Sequence, residues 1–163
     1  MELSVSTNMS VYDCPDPVEP SVKADGRIHR CTAEDLDELA GFLDLFHREI
    51  GIDQKDADSY RRDAQAFIET GNMYLWKNEQ GISVASCKYA PNGETASVNL
   101  VFTLTPYRRR HYAENLVYQV TRIAKKAGFI PMLYADADYA ASNACYEKIG
   151  YILRGKLCTI TVT

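Results

Sequence analysis

The sequence predicts an α/β (α+β) fold in which a mixed sheet is flanked by about four helices. Short runs rich in β-branched and aromatic residues alternate along the chain with segments whose apolar residues recur at helical spacing. Glycine follows three of the helical segments, at Gly51, Gly71 and Gly128, where helices commonly end. At 163 residues, the chain is long enough for one domain with a buried core.

The first 25 residues differ from the rest of the chain. Pro15, Pro17 and Pro20 leave little periodicity there, so residues 1–25 are predicted to form an extended arm or linker. A short part of this arm, Met9–Tyr12, could pair as an edge strand. The arm could also be the linker to a further domain upstream, and residues 26–163 are the predicted folded domain.

The first half of that domain alternates strands and helices. Residues 27–32 have strand character, and Thr32 followed by acidic residues predicts a helix start. The helix then runs through Ile50 with an apolar face formed by Leu36, Leu39, Ala40, Leu43 and Phe46. A second amphipathic helix is predicted over residues 57–69. Three strands follow at residues 73–77, 82–90 and 95–104, with a hairpin turn at residues 91–93.

The second half has the same alternation. A helix over residues 109–127 carries an apolar stripe and ends at Gly128. A buried strand is predicted at residues 130–135, a short helix at residues 138–149 and a closing strand at residues 151–162.

Composition excludes several classes of protein. The chain is 46% hydrophobic and 25% charged, and no apolar run approaches the ~20 residues that span a bilayer, so no membrane association is expected. The sequence does not begin with basic residues followed by an apolar core, so no secretory signal is predicted. A net charge of −4 argues against nucleic acid as a partner.

The five cysteines are odd in number and widely scattered, without the spacing of a metal site, so no metal is expected. Cys87 and Cys158 lie in strand-like runs and are expected to be buried as small apolar residues. Cys145 is a weak candidate nucleophile because no histidine lies near it in sequence. This usage is typical of a reducing, cytoplasmic compartment.

The stretch Val101–Ala113 is the most informative part of the chain, because an apolar strand leads through a basic turn into a helix. The first turn of a helix has N–H groups without intrahelical partners and a partial positive charge. Arg108, Arg109 and Arg110 can add forked hydrogen bonds to phosphate oxygens. The turn is therefore a candidate diphosphate site; alternatively, it is a solvated cationic turn.

A second stretch, Tyr134–Tyr151, makes the first more specific. Together the two resemble the acetyl-CoA site of the GNAT-type N-acetyltransferase superfamily. In that family, a strand leads to Arg/Gln-x-x-Gly-x-Gly/Ala at a helix start, and Ser-Asn-x-x-x-Tyr and Lys-x-Gly-Phe/Tyr follow. Here the first motif is Arg108–Ala113, and the second is Ser142–Tyr146 with Lys148–Tyr151. The clear resemblance covers residues 95–155.

The resemblance implies a mostly antiparallel sheet of about six to seven strands, and transfer of an acyl group, usually acetyl, from acetyl-CoA to an amine. The implied acetyl-CoA contacts are a set of backbone and side-chain groups on the strand, the turn and the second motif: Val101, Phe102, Thr103, Arg108, Arg109, Arg110, His111, Tyr112, Ala113 and Asn143. Asn143 matches the position that bonds the pantetheine arm, or else it makes a local turn bond. The acceptor is a small molecule or a protein, and a homodimer is compatible with the family.

Tyr146 matches the hydroxyl that protonates or stabilises the departing thiolate. A phenol of pKa ~10 is a suitable donor to a thiolate of pKa ~8.5. The alternative is that Tyr146 only packs the short helix against the sheet, as Tyr151 is expected to do.

His111 departs from the family pattern, which has glycine there. A side chain restricts the backbone and adds bulk where the family backbone approaches the pyrophosphate. Either His111 keeps a helical backbone with its ring turned away, or CoA binding is weakened. In the second case the domain is a degenerate CoA-binding or interaction module without turnover.

The general base has no clear motif. The strand before the basic turn offers Ser97 and Asn99 but no carboxylate beyond Glu94 at its start. Other candidates are a water relay, the carboxylates of the region formed by the first two predicted helices, which matches the family's acceptor-side lid, and two histidines with suitable intrinsic pKa values: Glu49, Asp53, Asp56, His29 and His47.

Overall fold

A computed structural model describes residues 3–136 and 140–162, and the side chains of residues 8–136 and 143–157. The described chain forms seven strands in one sheet: β1 (Leu3–Asp13), β2 (Arg27–Arg30), β3 (Met73–Lys77), β4 (Ser83–Asn92), β5 (Thr95–Thr103), β6 (Ile130–Asp136) and β7 (Ile152–Val162). Four helices flank the sheet: α1 (Leu36–Ile50), α2 (Ala57–Thr70), α3 (Tyr112–Lys126) and α4 (Ala140–Lys148).

The strand order is β2-β3-β4-β5-β6-β1-β7. Neighbouring strands are antiparallel except for β5 and β6, which are parallel. The crossover between those two parallel strands contains α3, as a parallel pair requires. The predicted fold class, a mixed and mostly antiparallel sheet with helices on its faces, is confirmed.

The N-terminal strand is the largest difference from the sequence-based expectation. β1 lies between β6 and β7 and is antiparallel to both, so Met9–Tyr12 belongs to an interior strand and the expected edge strand is wrong. Tyr12 is buried in the core, and residues 14–26 continue across the molecule as a strap without regular structure. The pairing of β1 with β6 joins residues 119 to 127 positions apart, which no local pattern encodes.

The helices cover opposite faces of the sheet. Along β3, Tyr74 and Trp76 belong to the core that packs against α3, whereas Met73 and Leu75 belong to a second core beneath α1 and α2. This division follows from the alternation of side chains along a strand. The apolar faces predicted for α1 and α3 supply Leu39, Leu43, Leu116, Val117 and Val120 to these two cores.

Pairing between β5 and β6 covers only the start of each strand. Residues 95–97 pair with residues 130–132, and within the described chain this pairing ends there although both strands continue. Further along β5, a register shift against β4 occurs at Leu100, whose φ is 55°. This combination is typical of a β-bulge, which redirects the strand. The backbone of the second half of β5 is thereby available beside the gap between the two strands.

Most predicted element boundaries are correct within three residues. The hairpin turn lies one to two residues later than predicted, because β4 continues through Asn92. The largest shift is at α3, which begins at Tyr112 rather than at Arg109, because Arg109 and His111 both have a φ of 65°. The first two residues of the predicted 138–149 helix lie outside the described residues, as does the side chain of Cys158. Cys87 is buried, as expected.

Candidate active site

A pocket of about 930 Å³ opens where β5, the basic turn (Leu104–His111), α1, α3 and α4 meet. The pocket is lined by most of the residues that the sequence predicts for acetyl-CoA binding and catalysis: Val101, Phe102, Thr103, Arg108, Arg109, His111, Tyr112, Ala113 and Tyr146. Among the predicted site residues that the structure describes, Arg110 and Asn143 do not line it. The two sequence motifs therefore meet at one pocket although about thirty residues separate them.

The first turn of α3 lies on the wall of this pocket. The first intrahelical bond is donated by Asn115 to the carbonyl of His111 over 3.2 Å, so the amides of Tyr112, Ala113 and Glu114 precede it. Such amides, together with the helix dipole, favour an anion at the helix N-terminus. Because the same residues line the pocket, its wall is suited to a phosphate group.

The backbone of His111 is not helical. Its φ of 65° and ψ of 13° lie in the left-handed region that favours glycine, so the expectation of helical geometry at this position is wrong. The imidazole Nδ1 lies 3.0 Å from Oε2 of Glu114, one turn further along α3. Glu114 also lines the pocket and was not anticipated from the sequence. Its place three residues after the N-cap residue, where a capping carboxylate often stands, was the available signal.

The three arginines have different surroundings. Arg108 donates from Nε to the carbonyl of Thr103 over 3.2 Å and lies over the ring of Phe102. Arg110 stacks over the ring of Tyr107, with 5.9 Å between its guanidinium carbon and the ring centroid. Arg109, between them in the sequence, lines the pocket together with Arg108. The pocket therefore has two arginines on its wall instead of a triplet.

Tyr112, the first residue of α3, is anchored by the N-terminal strap. Its buried ring donates from Oη to Asp25 over 2.7 Å, and this hydrogen bond lowers the pKa of Asp25 below its ordinary value. Asp25 also accepts from the Glu79 amide over 3.0 Å, and its carbonyl accepts from Trp76 Nε1 over 2.7 Å. The strap thus fixes the start of α3 to the sheet, a role that its irregular sequence does not predict.

Tyr146 contributes a phenol to the pocket from α4. Its ring packs edge-on between Tyr12 and Tyr151, with centroid separations of 6.4 and 6.3 Å. A phenol is protonated at neutral pH and can donate a hydrogen bond, and burial raises the pKa of Tyr146 well above its ordinary value. Burial also raises the pKa of the neighbouring Cys145 thiol to about 11, which makes it a poor nucleophile.

Two buried polar atoms near the pocket have no hydrogen-bond partner among the described residues: Thr103 Oγ1 and Asn143 Oδ1. Asn143 is oriented by its other end, since Nδ2 donates to the Asp136 carbonyl over 3.3 Å at the end of β6. Buried polar atoms are nearly always paired in native proteins, so unpaired ones suggest a missing ligand or water. Both residues belong to the predicted acetyl-CoA contacts, and the unpaired atoms fit a ligand with amide groups such as a pantetheine arm.

Of the candidate bases, Glu49 alone lines the pocket among the described residues. Its carboxylate accepts from the Thr105 amide over 3.0 and 3.2 Å, which joins the end of α1 to the basic turn. Asp56 instead caps α2 by accepting from the Ser59 amide. His47 and His29 contact Tyr60 and Asp35, each within its own part of the fold. The structure therefore brings one of the candidate carboxylates, that of Glu49, to the pocket.

The described residues contain no cluster of three or more His, Cys, Asp or Glu side chains arranged to hold a metal ion. No described helix combines the length and the apolar character needed to cross a membrane.

No curated protein sequence matches the chain. Solved structures match over nearly all of it. An acetyltransferase of the GNAT family from Colwellia psychrerythraea has a TM-score of 0.75 and 13% identity, and the match covers 98% of this chain and 56% of that one. A putative GNAT acetyltransferase from Novosphingobium aromaticivorans has a TM-score of 0.69 and 20% identity, with 97% of this chain and 66% of that one covered; for a GCN5-related N-acetyltransferase from Sphaerobacter thermophilus the TM-score is 0.72 and the identity 14%, with 97% and 51% covered. At these identities the likeness concerns the fold, and the chain spans about half to two thirds of their length.

The sequence also matches the model of the Acetyltransferase (GNAT) family over residues 39–151, from within α1 to the end of the second motif. This range includes the basic turn, α3 and Tyr146, and it covers more than half of the chain. The chain belongs to the GNAT acetyltransferase family.

Proposed function

We propose that this chain transfers an acetyl group from acetyl-CoA to an amine of a small molecule or protein, by direct attack of the amine. The observation that carries the proposal is that the anion-binding first turn of α3 and the phenol of Tyr146 line the same pocket. That pocket can take a phosphate at one end and a departing thiolate at the other. A cytoplasmic location and a homodimer remain predictions from the sequence.

The residues present fit acetyl-CoA, which supplies an acetyl group activated as a thioester when it is bound. The amides of Tyr112, Ala113 and Glu114, together with Arg109, would bind the diphosphate. The unpaired atoms Thr103 Oγ1 and Asn143 Oδ1 are available to the amide groups of the pantetheine arm.

The β5 backbone would add a further set of contacts. Because the described pairing between β5 and β6 ends at residues 97 and 132, backbone groups of Val101, Phe102 and Thr103 can pair with an extended arm, as in strand addition. An N–H group at this point would also stabilise the negative charge that develops on the thioester oxygen.

Tyr146 is the proposed general acid. Like any phenol it is protonated at neutral pH, and burial further disfavours the phenolate, so it can donate to the sulfur as the carbon–sulfur bond breaks. The proton that the amine loses needs a separate acceptor. Glu49 is our candidate, because its carboxylate lines the pocket and is oriented by the Thr105 amide.

The test begins with the wild-type chain. Calorimetry should detect acetyl-CoA binding, and an assay for free thiol over a panel of amines should identify an acceptor. Tyr146→Phe keeps the ring and its packing but removes the hydroxyl, so turnover should fall by about 10²- to 10⁴-fold while acetyl-CoA affinity stays nearly unchanged.

Tyr151→Phe is a matched control for this substitution. Tyr151 is a buried neighbour of Tyr146, and its hydroxyl bonds Thr121 over 2.6 Å. Removing that hydroxyl should reduce stability without lowering turnover in the same way. Equal turnover of wild type and Tyr146→Phe would leave Tyr146 as a packing residue only.

A degenerate CoA-binding or interaction module is the second candidate, and the side chain of His111 favours it. The ring lines the pocket at the position where the family has glycine. If His111→Gly increases acetyl-CoA affinity by orders of magnitude at every pH, the natural ring obstructs binding and the second candidate is preferred.

A further inference from the structure

His111 and Glu114 form a side-chain pair at the N-terminus of α3. His111 is the N-cap residue, and its Nδ1 lies 3.0 Å from Oε2 of Glu114. The imidazole is 44% exposed, whereas the Glu114 carboxylate is only 12% exposed. Both residues line the pocket. The pair therefore lies beside the amides that are available to an anion.

The geometry determines which ring nitrogen can reach a ligand. An ionised carboxylate is an acceptor only, so the contact requires that Nδ1 carries the proton and donates. Nε2 is then the nitrogen left for the pocket. It accepts when the ring is neutral and donates when the ring is protonated, and only the second form can bond a phosphate oxygen.

The groups around the ring come from several elements. Within its own turn, Arg108, Arg109 and Arg110 are cationic because arginine stays protonated in proteins, and Arg110 stacks over the ring of Tyr107. Because arginine does not titrate in this range, none of these three groups changes charge between pH 6 and 8.

Three further titratable groups line the pocket from other helices: Glu49 of α1, and the Cys145 thiol and the Tyr146 phenol of α4. Burial raises the pKa of Cys145 to about 11, so this thiol stays neutral well above physiological pH. An imidazole is the side chain that changes charge between pH 5 and 8. Among the described residues that line the pocket, His111 is the single imidazole.

We propose that His111 is a proton-coupled phosphate ligand: its imidazolium donates from Nε2 to the diphosphate of acetyl-CoA while Glu114 fixes Nδ1. This proposal rests on the proposed function, since it concerns the same site. Glu114 is the positioning residue. The family has glycine at this position and relies on backbone amides. Here His111 would add a charged side-chain donor beside those amides.

The consequence is a pH-dependent affinity. A phosphate beside an imidazole favours its protonated form, so the protein takes up a proton when acetyl-CoA binds. By linkage, affinity is highest at low pH and falls as the pH rises. For one charge-assisted hydrogen bond the expected decrease between pH 6 and pH 8 is about five- to tenfold.

Calorimetry with acetyl-CoA as the probe tests this on the wild-type chain. At one pH near 7, the binding heat measured in buffers of different ionisation enthalpy gives the number of protons taken up directly. A net uptake is expected, and no variant is needed. Affinities at pH 6, 7 and 8 complete the measurement.

Two conservative variants separate the proposal from a structural role. His111→Asn tolerates the left-handed backbone and keeps a neutral donor, so its affinity should lose the histidine-dependent decrease with pH. The phosphates of acetyl-CoA titrate equally in both experiments, so their contribution cancels when the pH dependence of the variant is subtracted from that of wild type. Glu114→Gln keeps an acceptor for Nδ1 but removes the charge, so the decrease should move to lower pH. Thermal unfolding checks that both variants fold.

The outcomes distinguish the two proposals. If wild type binds acetyl-CoA without proton uptake, or if His111→Asn keeps the same pH dependence, the role of His111 is wrong and the proposed function stands. If neither the wild type nor any variant binds acetyl-CoA between pH 6 and 8, both are wrong. Higher affinity of His111→Asn at every pH would also overturn the role, because the ring would then obstruct binding.

Discussion

The ends of α1 and α2 and the start of α3 use the same backbone conformation with different residues. α1 and α2 both end on glycine, Gly51 and Gly71, each with a φ of 74°. α3 begins on His111 with a φ of 65°, two residues after Arg109 with the same value. A left-handed conformation costs a residue with a Cβ roughly 1–2 kcal/mol, whereas glycine adopts it readily.

At the helix ends only the backbone conformation determines the residue type, whereas at the start of α3 a side chain also contributes. A Cβ added at Gly51 would meet no atom within 4 Å, so the backbone conformation alone accounts for glycine there. At His111 the strain is accepted in a residue whose ring contacts Glu114 and lines the pocket. Strained backbone at a binding pocket is a frequent mark of function.

The largest expected effect comes from replacing Gly150, where both the backbone conformation and the close neighbours require glycine. Gly150 follows α4 with a φ of 105°, and a Cβ there would lie 2.4 Å from the Asp16 carbonyl oxygen of the strap. Gly150→Ala combines backbone strain with a steric clash, so the free energy of unfolding should fall by about 2–4 kcal/mol. Urea denaturation measures this. A loss below about 1 kcal/mol would mean that the strap moves freely away.

A pair of opposite substitutions tests the comparison itself. Gly51→Ala adds strain without a clash and should lower the free energy of unfolding by about 1 kcal/mol. His111→Gly removes the strain, but it also loosens the unfolded chain, so stability should rise by up to about 1 kcal/mol. Thermal unfolding of both variants beside wild type is sufficient. A clear loss of stability in His111→Gly would show that the Glu114 contact outweighs the strain.

The smallest effect concerns Tyr112, the residue after His111, which is anchored by its hydrogen bond to Asp25. The pKa of Asp25 is lowered mainly by the hydrogen bond from Tyr112. The ionised carboxylate of Asp25 therefore stabilises the fold fully above its unfolded-state pKa of about 4, and this stabilisation is lost as the pH falls through the folded-state pKa. Asp25→Asn should therefore be less stable than wild type at pH 6, with the difference shrinking below pH 4. Urea midpoints between pH 2.5 and 6 measure it. A difference that does not change with pH would exclude the charge of Asp25 as its cause.

Several features were readable from the sequence because they depend on neighbouring residues. Helix periodicity identified the buried faces of α1 and α3, and Gly51, Gly71 and Gly128 marked the helix ends. The chain order of the two motifs indicated the family, which the family model confirms. The start of α3 was misplaced because the pattern of apolar residues contains no information on the φ of Arg109 and His111.

The sequence by itself therefore determined the fold class, the elements other than β1 and the motif residues, because helix periodicity, strand alternation and helix caps are short-range properties of the chain. The tertiary structure alone decided the place of β1 between β6 and β7, the anchoring of Tyr112 by Asp25 and the position of Glu49 on the pocket wall. Each of these brings together residues more than 50 positions apart. Such contacts depend on how whole elements pack, and no local pattern of residue types encodes that packing.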